Sequence, residues 1–415
     1  MNLEQSMRAV PPPIPESARK KGMPPIPEAA KKKSGPPPIP DAARKKSIEL
    51  AHKNMEAREV QEQDVIEAFE VQGFNGLEVM ATIEKKDERK GSPENHNEDN
   101  VIVDPETGLL GVLDGLGGEG QGDLASKAAE RAIPEGYKKA AAEIGKLDNQ
   151  EVQRRLVEQQ IKKIGNPEAR IQVTNMVEQM LSLDPKMAKK ALALIESLRG
   201  ANAAVLESGG KTTATVGFIH ETPSGEKYAI VANLGDSMAF KRRKNGEMVP
   251  ITQEDSALNS LTQSGALTPE LLAKMKSDPK AKHPIPLSLE VIQAMGGGEQ
   301  ELKQFQAKGV KEIPMSYGLL KRAMVASLGS QVFEPSLGIR RLEEGDELIL
   351  GTDGLVDKFE DPNTEDTNYA ELSAAMSGKT SKEQMDNLRK ESKKRITYKK
   401  DDDIAIVRAK VQKKN

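Results

Sequence analysis

Four short apolar runs follow one another at residues 213–220, 227–233, 238–242 and 248–251, with only tight turns between them. The connections are Thr222-Pro223-Ser224-Gly225, Leu234-Gly235-Asp236-Ser237 and Asn245-Gly246, compositions that reverse a strand within a few residues. Consecutive strands joined this way form an antiparallel meander, because a parallel pair needs a long crossover that has no room here. Further strand-like runs lie at 77–83, in a hairpin of 100–103 with 109–113 turned by Asp104-Pro105-Glu106-Thr107-Gly108, and at 337–342, 347–351 and 404–411. Helical spacing fills the intervals at 124–132, 134–207 and 369–395, and a glycine-interrupted helical region runs from 268 to 329. Within 134–207, Val173, Met176, Val177, Met180 and Leu181, then Ala191, Leu194, Ile195 and Leu198, form stripes of core character on either side of Asp184-Pro185. Strand-rich blocks separated by helix-rich blocks predict an α+β fold, two packed antiparallel β-sheets (a β-sandwich) flanked by α-helices.

One strand ends in chemistry. The run Val112-Leu113-Asp114-Gly115-Leu116-Gly117-Gly118 stops at an aspartate followed by bare backbone, where carboxylate and carbonyl oxygens can converge on a hard cation without side-chain crowding. Four other acidic clusters recur in order: Asn97-Glu98-Asp99, Gly235-Asp236-Ser237, Thr352-Asp353-Gly354 and Asp401-Asp402-Asp403. A lone aspartate at a strand end is commonly a turn residue or a helix cap. Five clusters together predict one carboxylate-rich metal centre and metal-dependent hydrolysis.

Composition narrows the chemistry. The chain has no cysteine, which removes disulfides, thiolate metal sites and thiol nucleophiles. Its four histidines, His52, His96, His220 and His283, are too few and too scattered for a histidine-rich zinc or iron site, leaving oxygen-ligated Mg²⁺ or Mn²⁺. No apolar run approaches the roughly 20 residues of a membrane span, and no secretory signal opens the chain, so a cytoplasmic location without membrane attachment is expected.

The net charge of −3 conceals a basic N-terminus and an acidic remainder. Residues 1–47 contain three copies of a Pro-Pro-Ile-Pro unit followed by an acid, small residues and a basic run, as in Pro24-Pro25-Ile26-Pro27-Glu28-Ala29-Ala30-Lys31-Lys32-Lys33. Such units bury too little apolar surface to fold alone, so residues 1–47 are expected to be a disordered Pro/Lys-rich repeat tail. The tail is either a plain solvated linker or a multivalent ligand for a protein partner; nucleic acid is disfavoured. Residues 48–76 have weak helical character and are expected to be a helical linker, with the catalytic domain occupying 77–415.

Two glycine motifs do not indicate nucleotide binding. Gly115-Leu116-Gly117-Gly118-Glu119-Gly120 has the spacing of a dinucleotide fingerprint, but no second strand ending in an acid follows at the required distance. Gly210-Lys211-Thr212 ends like a phosphate-binding loop, but Val205 stands where its first glycine is needed. The basic run Lys241-Arg242-Arg243-Lys244 is most simply a solvated hairpin edge, with attraction of a phosphorylated partner as the alternative.

Taken in order, Asn97-Glu98-Asp99, the Asp114 segment, Thr212-Thr213-Ala214-Thr215, Ala232-Asn233-Leu234-Gly235-Asp236-Ser237, Leu348-Ile349-Leu350-Gly351-Thr352-Asp353-Gly354 and Asp401-Asp402-Asp403-Ile404 resemble the metal-dependent serine/threonine protein phosphatases of type 2C, the PPM family, in a bacterial-like form. The resemblance spans about 77–411. It implies that Asp114 bridges two Mg²⁺ or Mn²⁺ ions, with Asp353 and Asp402 holding the first. The carbonyl of Gly115 and Glu98 serve the second, and Asp99 supports it from behind. Asp236 would share a third, weaker ion with Asp353. The implied reaction is attack on phosphoserine or phosphothreonine by a metal-bridging hydroxide, with Asp114, Asp353 and Asp402 central to catalysis in a signalling role. The chain departs from the family where a phosphate-clamping arginine is expected, which is Glu94 here, with Arg89 or Lys90 as nearby substitutes. It departs also at Leu116, Met238 and Asp403. The alternative these departures raise is a catalytically weak or inactive module that binds phosphoproteins or scaffolds partners through the repeats. Residues 255–284 occupy the place of a family flap beside the site.

Overall fold

Along Ile404–Val411 the side chains divide by parity: Ile404 and Ile406 join one apolar cluster, while Ala405, Val407, Ala409 and Val411 join another. A strand has a side-chain period of two, so this segment is buried on both faces and lies in the middle of a layered molecule. The computed structural model describes residues 65–413 except 72–73, 75, 85–96, 117–120, 163, 165–166, 295–298, 331–332, 362–365 and 396–401. The chain divides into two units, Met1–Glu49 and Leu50–Asn415. The repeat tail, residues 48–64 of the expected linker, and Arg89, Lys90 and Glu94 lie outside the described residues.

In chain order the described part begins with β1 (Val65–Val71), β2 (Leu77–Glu84), β3 (Asp99–Asp104) and β4 (Leu109–Asp114). Four helices follow: α1 (Gly122–Ile144), α2 (Asn149–Ile161), α3 (Pro167–Leu183) and α4 (Pro185–Ser208). The four runs expected to form one meander are β5 (Ala214–Glu221), β6 (Lys227–Leu234), β7 (Met238–Arg242) and β8 (Met248–Pro250), but they form two hairpins, β5–β6 and β7–β8, that belong to different sheets. An inserted region contains α5 (Ala257–Ser264), α6 (Pro269–Ser277), β9 (His283–Pro286), α7 (Leu289–Ala294), α8 (Glu299–Ala307), β10 (Glu312–Met315) and α9 (Tyr317–Arg322). The chain then returns through β11 (Ser336–Leu342), β12 (Glu347–Gly351), α10 (Asp353–Val356), α11 (Tyr369–Ala375), α12 (Ser381–Lys394) and β13 (Ile404–Val411).

Two antiparallel sheets result, β1-β2-β13-β12-β7-β8 and β11-β6-β5-β4-β3. Val79, Ala81, Leu348, Leu350 and Val407 of the first meet Leu110, Val112, Ala229 and Val231 of the second in the central core. The opposite face of the second sheet packs on α1 and α4 through Leu109, Leu113, Ile133, Leu194 and Leu198. The outer face of the first sheet is covered by Leu372, Met385 and Leu388 of α11 and α12. This is the expected α+β sandwich flanked by helices. Helix ends follow their chemistry. Asp184 caps α4 by accepting from the Lys186 N–H at 2.9 Å, Pro185 opens it, and Gly209 closes it with φ of 78°.

Two further expectations need correction. The helical linker expected over 48–76 gives way to a strand at Val65–Val71, which pairs antiparallel with β2 from Val65↔Glu84 to Val71↔Val79. Pairing with the open edge of β2 satisfies the backbone of this segment and overrides weak helical spacing. The sheet thus starts ahead of residue 77. Within the region expected to be helical, 268–329, the β9–β10 ribbon appears, because Pro284, Pro286 and Pro314 bar a helix. The insert has an apolar cluster of its own, including Leu258, Leu261, Met275, Ile285, Met315 and Leu320.

The basic run at 241–244 is tied down rather than simply solvated. Lys241 pairs with Asp346 at 2.7 Å, Arg242 with Glu347 at 3.3 Å and Arg243 with Glu247 at 2.7 Å. Among the described residues, no helix is long and apolar enough to cross a membrane.

Candidate metal centre

The site gathers where strands of both sheets end on the same side. Asp99 opens β3 and Asp114 closes β4, and the register pairs them directly. Asp236 lies in the turn between β6 and β7, where the chain passes from one sheet to the other, and Asp353 begins α10 just past β12. One carboxylate oxygen from each of Asp114, Asp236 and Asp353 lies within 4.8 Å of the other two. Asp402 is placed beside this trio rather than within it: its side chain is exposed, next to Gly354, and its charge acts on Asp99.

Close backbone packing shapes the second half of the site. The Gly115 N–H donates to the Glu98 carbonyl at 3.0 Å. A Cβ placed on Gly122 would lie 2.8 Å from both the Glu98 Oε1 and the Gly115 carbonyl oxygen, so these two oxygens converge over the start of α1. A Cβ on Gly354 would overlap the carbonyl oxygen of Asp403. Only glycine leaves room at these positions.

Hydroxyls and a further acid fix the ligand-bearing loops. Thr352 Oγ1 donates to Asp99 Oδ2 at 2.8 Å and accepts from the Ala405 N–H at 2.9 Å, joining β3 to β12 and β13. Asp403 Oδ2 accepts from the Glu98 N–H at 2.9 Å. The Asp114 N–H donates to Thr213 Oγ1 at 3.0 Å, and Thr213 Oγ1 shares a 2.8 Å hydrogen bond with Ser237 Oγ beside Asp236. Asp255 braces the same turn, accepting from Gly235 N–H at 3.1 Å and donating its own N–H to the Gly235 carbonyl at 2.8 Å. The supporting roles of Thr352, Ser237, Asp255 and Asp403 escaped the sequence analysis; for Thr352, Ser237 and Asp403 the available signal was a place next to Asp353, Asp236 and Asp402, and Asp255 carried none.

Electrostatically the cluster is under tension. Burial, the charges of Asp353 and Asp99, a hydrogen bond shared with Asp353 and the charge of Asp236 push the Asp114 carboxyl well above the usual range. Burial and the charge of Asp403, followed by Asp353 and Asp402, raise Asp99 against the lowering effect of Thr352. Crowded, desolvated carboxylates of this kind release protons when a cation binds among them. The donor set is all oxygen, as Mg²⁺ and Mn²⁺ prefer. The residues fit divalent cations at two places, the Asp114–Asp236–Asp353 trio and the cradle of Glu98 with the Gly115 carbonyl over Gly122.

Residues 320–412 match the family model described as Stage II sporulation protein E (SpoIIE). The matched segment carries Thr352, Asp353, Asp402 and Asp403 together with β11–β13. No curated protein matches the chain. Among solved structures the chain is similar to the serine/threonine phosphatase PstP/Ppp of Mycobacterium tuberculosis, at 19% identity over 81% of this chain and 99% of that one, with a TM-score of 0.44. It is similar also to the S. agalactiae serine/threonine phosphatase, at 18% identity over 81% and 100% with a TM-score of 0.45. A third is the PPM Ser-Thr phosphatase MsPP from Mycobacterium smegmatis, at 17% identity over 80% and 97% with a TM-score of 0.44.

Proposed function

We propose that this protein is a cytoplasmic, Mg²⁺- or Mn²⁺-dependent phosphatase that hydrolyses phosphoserine and phosphothreonine in proteins. The observation that carries this reading is the convergence of Asp114, Asp236 and Asp353 within 4.8 Å, from three chain segments that are distant in sequence. The SpoIIE match over the segment that contributes Asp353 supports it. Asp114, Asp353 and Asp236 hold cations, with Asp402 flanking them; Glu98 and the Gly115 carbonyl serve a second position. Divalent cations bound there supply Lewis acidity toward a phosphoryl oxygen and lower the pKa of coordinated water.

The rest of the work belongs to the chain. Thr352 holds the Asp99 carboxylate, and Thr213 fixes the main chain at Asp114 by accepting from its N–H. The chain has no cysteine, so water is the natural nucleophile for phosphoester cleavage by these residues. Hydrolysis of p-nitrophenyl phosphate and of a phosphothreonine peptide, measured with and without Mn²⁺, tests the reading. Turnover that requires Mn²⁺ and disappears in Asp114→Asn and Asp353→Asn is expected. Mn²⁺ binding with no turnover of either substrate would overturn hydrolysis and favour a phosphoprotein-binding module.

A further inference from the structure

A centre built from so many acids repels a phosphate dianion until cations balance it, and side-chain cations near its mouth then decide how tightly the phosphate is held. The isolated antiparallel bridge Gly115↔Thr212 extends β4 past Asp114. Its hydrogen bonds set the register: the Thr213 N–H donates to the Asp114 carbonyl at 2.8 Å, and the Leu116 N–H donates to the Lys211 carbonyl at 2.9 Å. Asp114 therefore stands opposite Thr213, and Leu116 opposite Lys211. Residues two apart share a face, so Lys211 is the diagonal cross-strand neighbour of Asp114 on the face that carries its carboxylate. Such a separation is within reach of a long side chain. Thr212 and Thr213 on either side of the bridge are fully buried, whereas Lys211 is exposed, and among the described residues its ammonium makes no hydrogen bond or ion pair.

We propose that Lys211 binds the phosphate group of the substrate at the mouth of the metal centre. This rests on the phosphatase reading for its substrate, although not for its test. A lysine serves here as a flexible point charge, able to follow the phosphate as it approaches the cations. The assignment also gives a role to Gly210-Lys211-Thr212. Its backbone is held on both sides, with the Lys211 carbonyl accepting from the Leu116 N–H and the Thr212 N–H and carbonyl bonded to Leu328, and the lysine side chain extends from this fixed segment.

Two measurements on the full chain with Mn²⁺ test it, using Lys211→Met and Lys211→Arg. The first is binding of inorganic phosphate to the Mn²⁺-loaded protein by calorimetry; the second is the division of the kinetic effect between KM and kcat on a phosphothreonine peptide. Lys211→Met is expected to weaken phosphate binding and raise KM by about tenfold or more, the loss of one charge-assisted hydrogen bond, with a much smaller change in kcat. Lys211→Arg should recover most of both. Mn²⁺ affinity and melting temperature should stay as in the parent, since Lys211 is exposed. Unchanged phosphate affinity in Lys211→Met, or a parent protein that binds no phosphate, overturns the proposal. Weakened phosphate binding in a protein that hydrolyses nothing would leave Lys211 in place and remove the phosphatase reading instead.

Discussion

Asp99 and Asp114 are direct cross-strand partners, two acids facing each other where β3 and β4 meet. Like charges in that position oppose folding, and burial adds to the cost. Asp114→Asn is therefore expected to make the metal-free protein more stable, by about 1 kcal/mol, while it removes hydrolysis. Urea denaturation in EDTA measures the first effect. A less stable metal-free variant would show that the pair is not under repulsion.

Cation binding should relieve the same tension. Mn²⁺ at a hundred times its Kd is expected to raise the stability of the parent by about 2.7 kcal/mol, read as an upward shift in Tm that EDTA reverses. Asp353→Asn should reduce that shift. An equal shift in Asp353→Asn would place the bound cation elsewhere.

Two glycines should respond in opposite senses to alanine. At Gly354 the new methyl overlaps the Asp403 carbonyl oxygen, and the main chain beside Asp402 has to move, at a cost of roughly 1–3 kcal/mol and a loss of activity. At Gly200, exposed within α4, nothing lies within 4 Å of the added methyl. Gly200→Ala is expected to gain roughly 0.5–1 kcal/mol from helix propensity alone. Urea midpoints of the two variants check both signs.

His220 and Asp184 form a buried pair at 2.8 Å, linking β5 to the start of α4. An ionised Asp184 only accepts, so the His220 Nε2–H donates. Burial pushes the imidazole below its ordinary value, with Lys190 adding to it, against the raising effect of Asp184. Burial acts upward on Asp184, yet the Lys186 N–H and His220 hold it below its usual range. A depressed histidine takes up its proton more readily in the unfolded chain, so stability should fall as pH drops below about 6.5. The Asp184 contribution is present above about pH 3.9 and is lost only as pH falls further, through its lowered folded value. His220→Gln should flatten the dependence of Tm on pH just below 6.5. A slope there equal to the parent's would assign the acid sensitivity to other groups.

The sandwich was legible because its strands are buried on one face or both: 77–83, 227–233 and 404–411 read as strands from apolar runs and match β2, β6 and β13 closely. Acids at strand ends were equally visible, and Asp114, Asp236 and Asp353 do meet. What stayed hidden depends on partners far along the chain. The Thr352 hydroxyl finds Asp99 across 253 residues and Asp403 finds the Glu98 N–H across 305, and no local pattern encodes either. β1 was missed for a related reason, since its strand character comes from the open edge of β2 rather than from its own spacing. The exposure of Asp402 depends on the course of the chain around it, which motif order does not describe.

β13 lies between β2 and β12, so the six-stranded sheet is zipped shut from its centre by residues more than 300 positions downstream of β2. Until Ile404–Val411 leave the ribosome, β2 and β12 each expose a raw edge and Thr352 lacks the Ala405 amide that anchors it. The sheet and the brace behind Asp99 are therefore completed together, by the docking of that single strand.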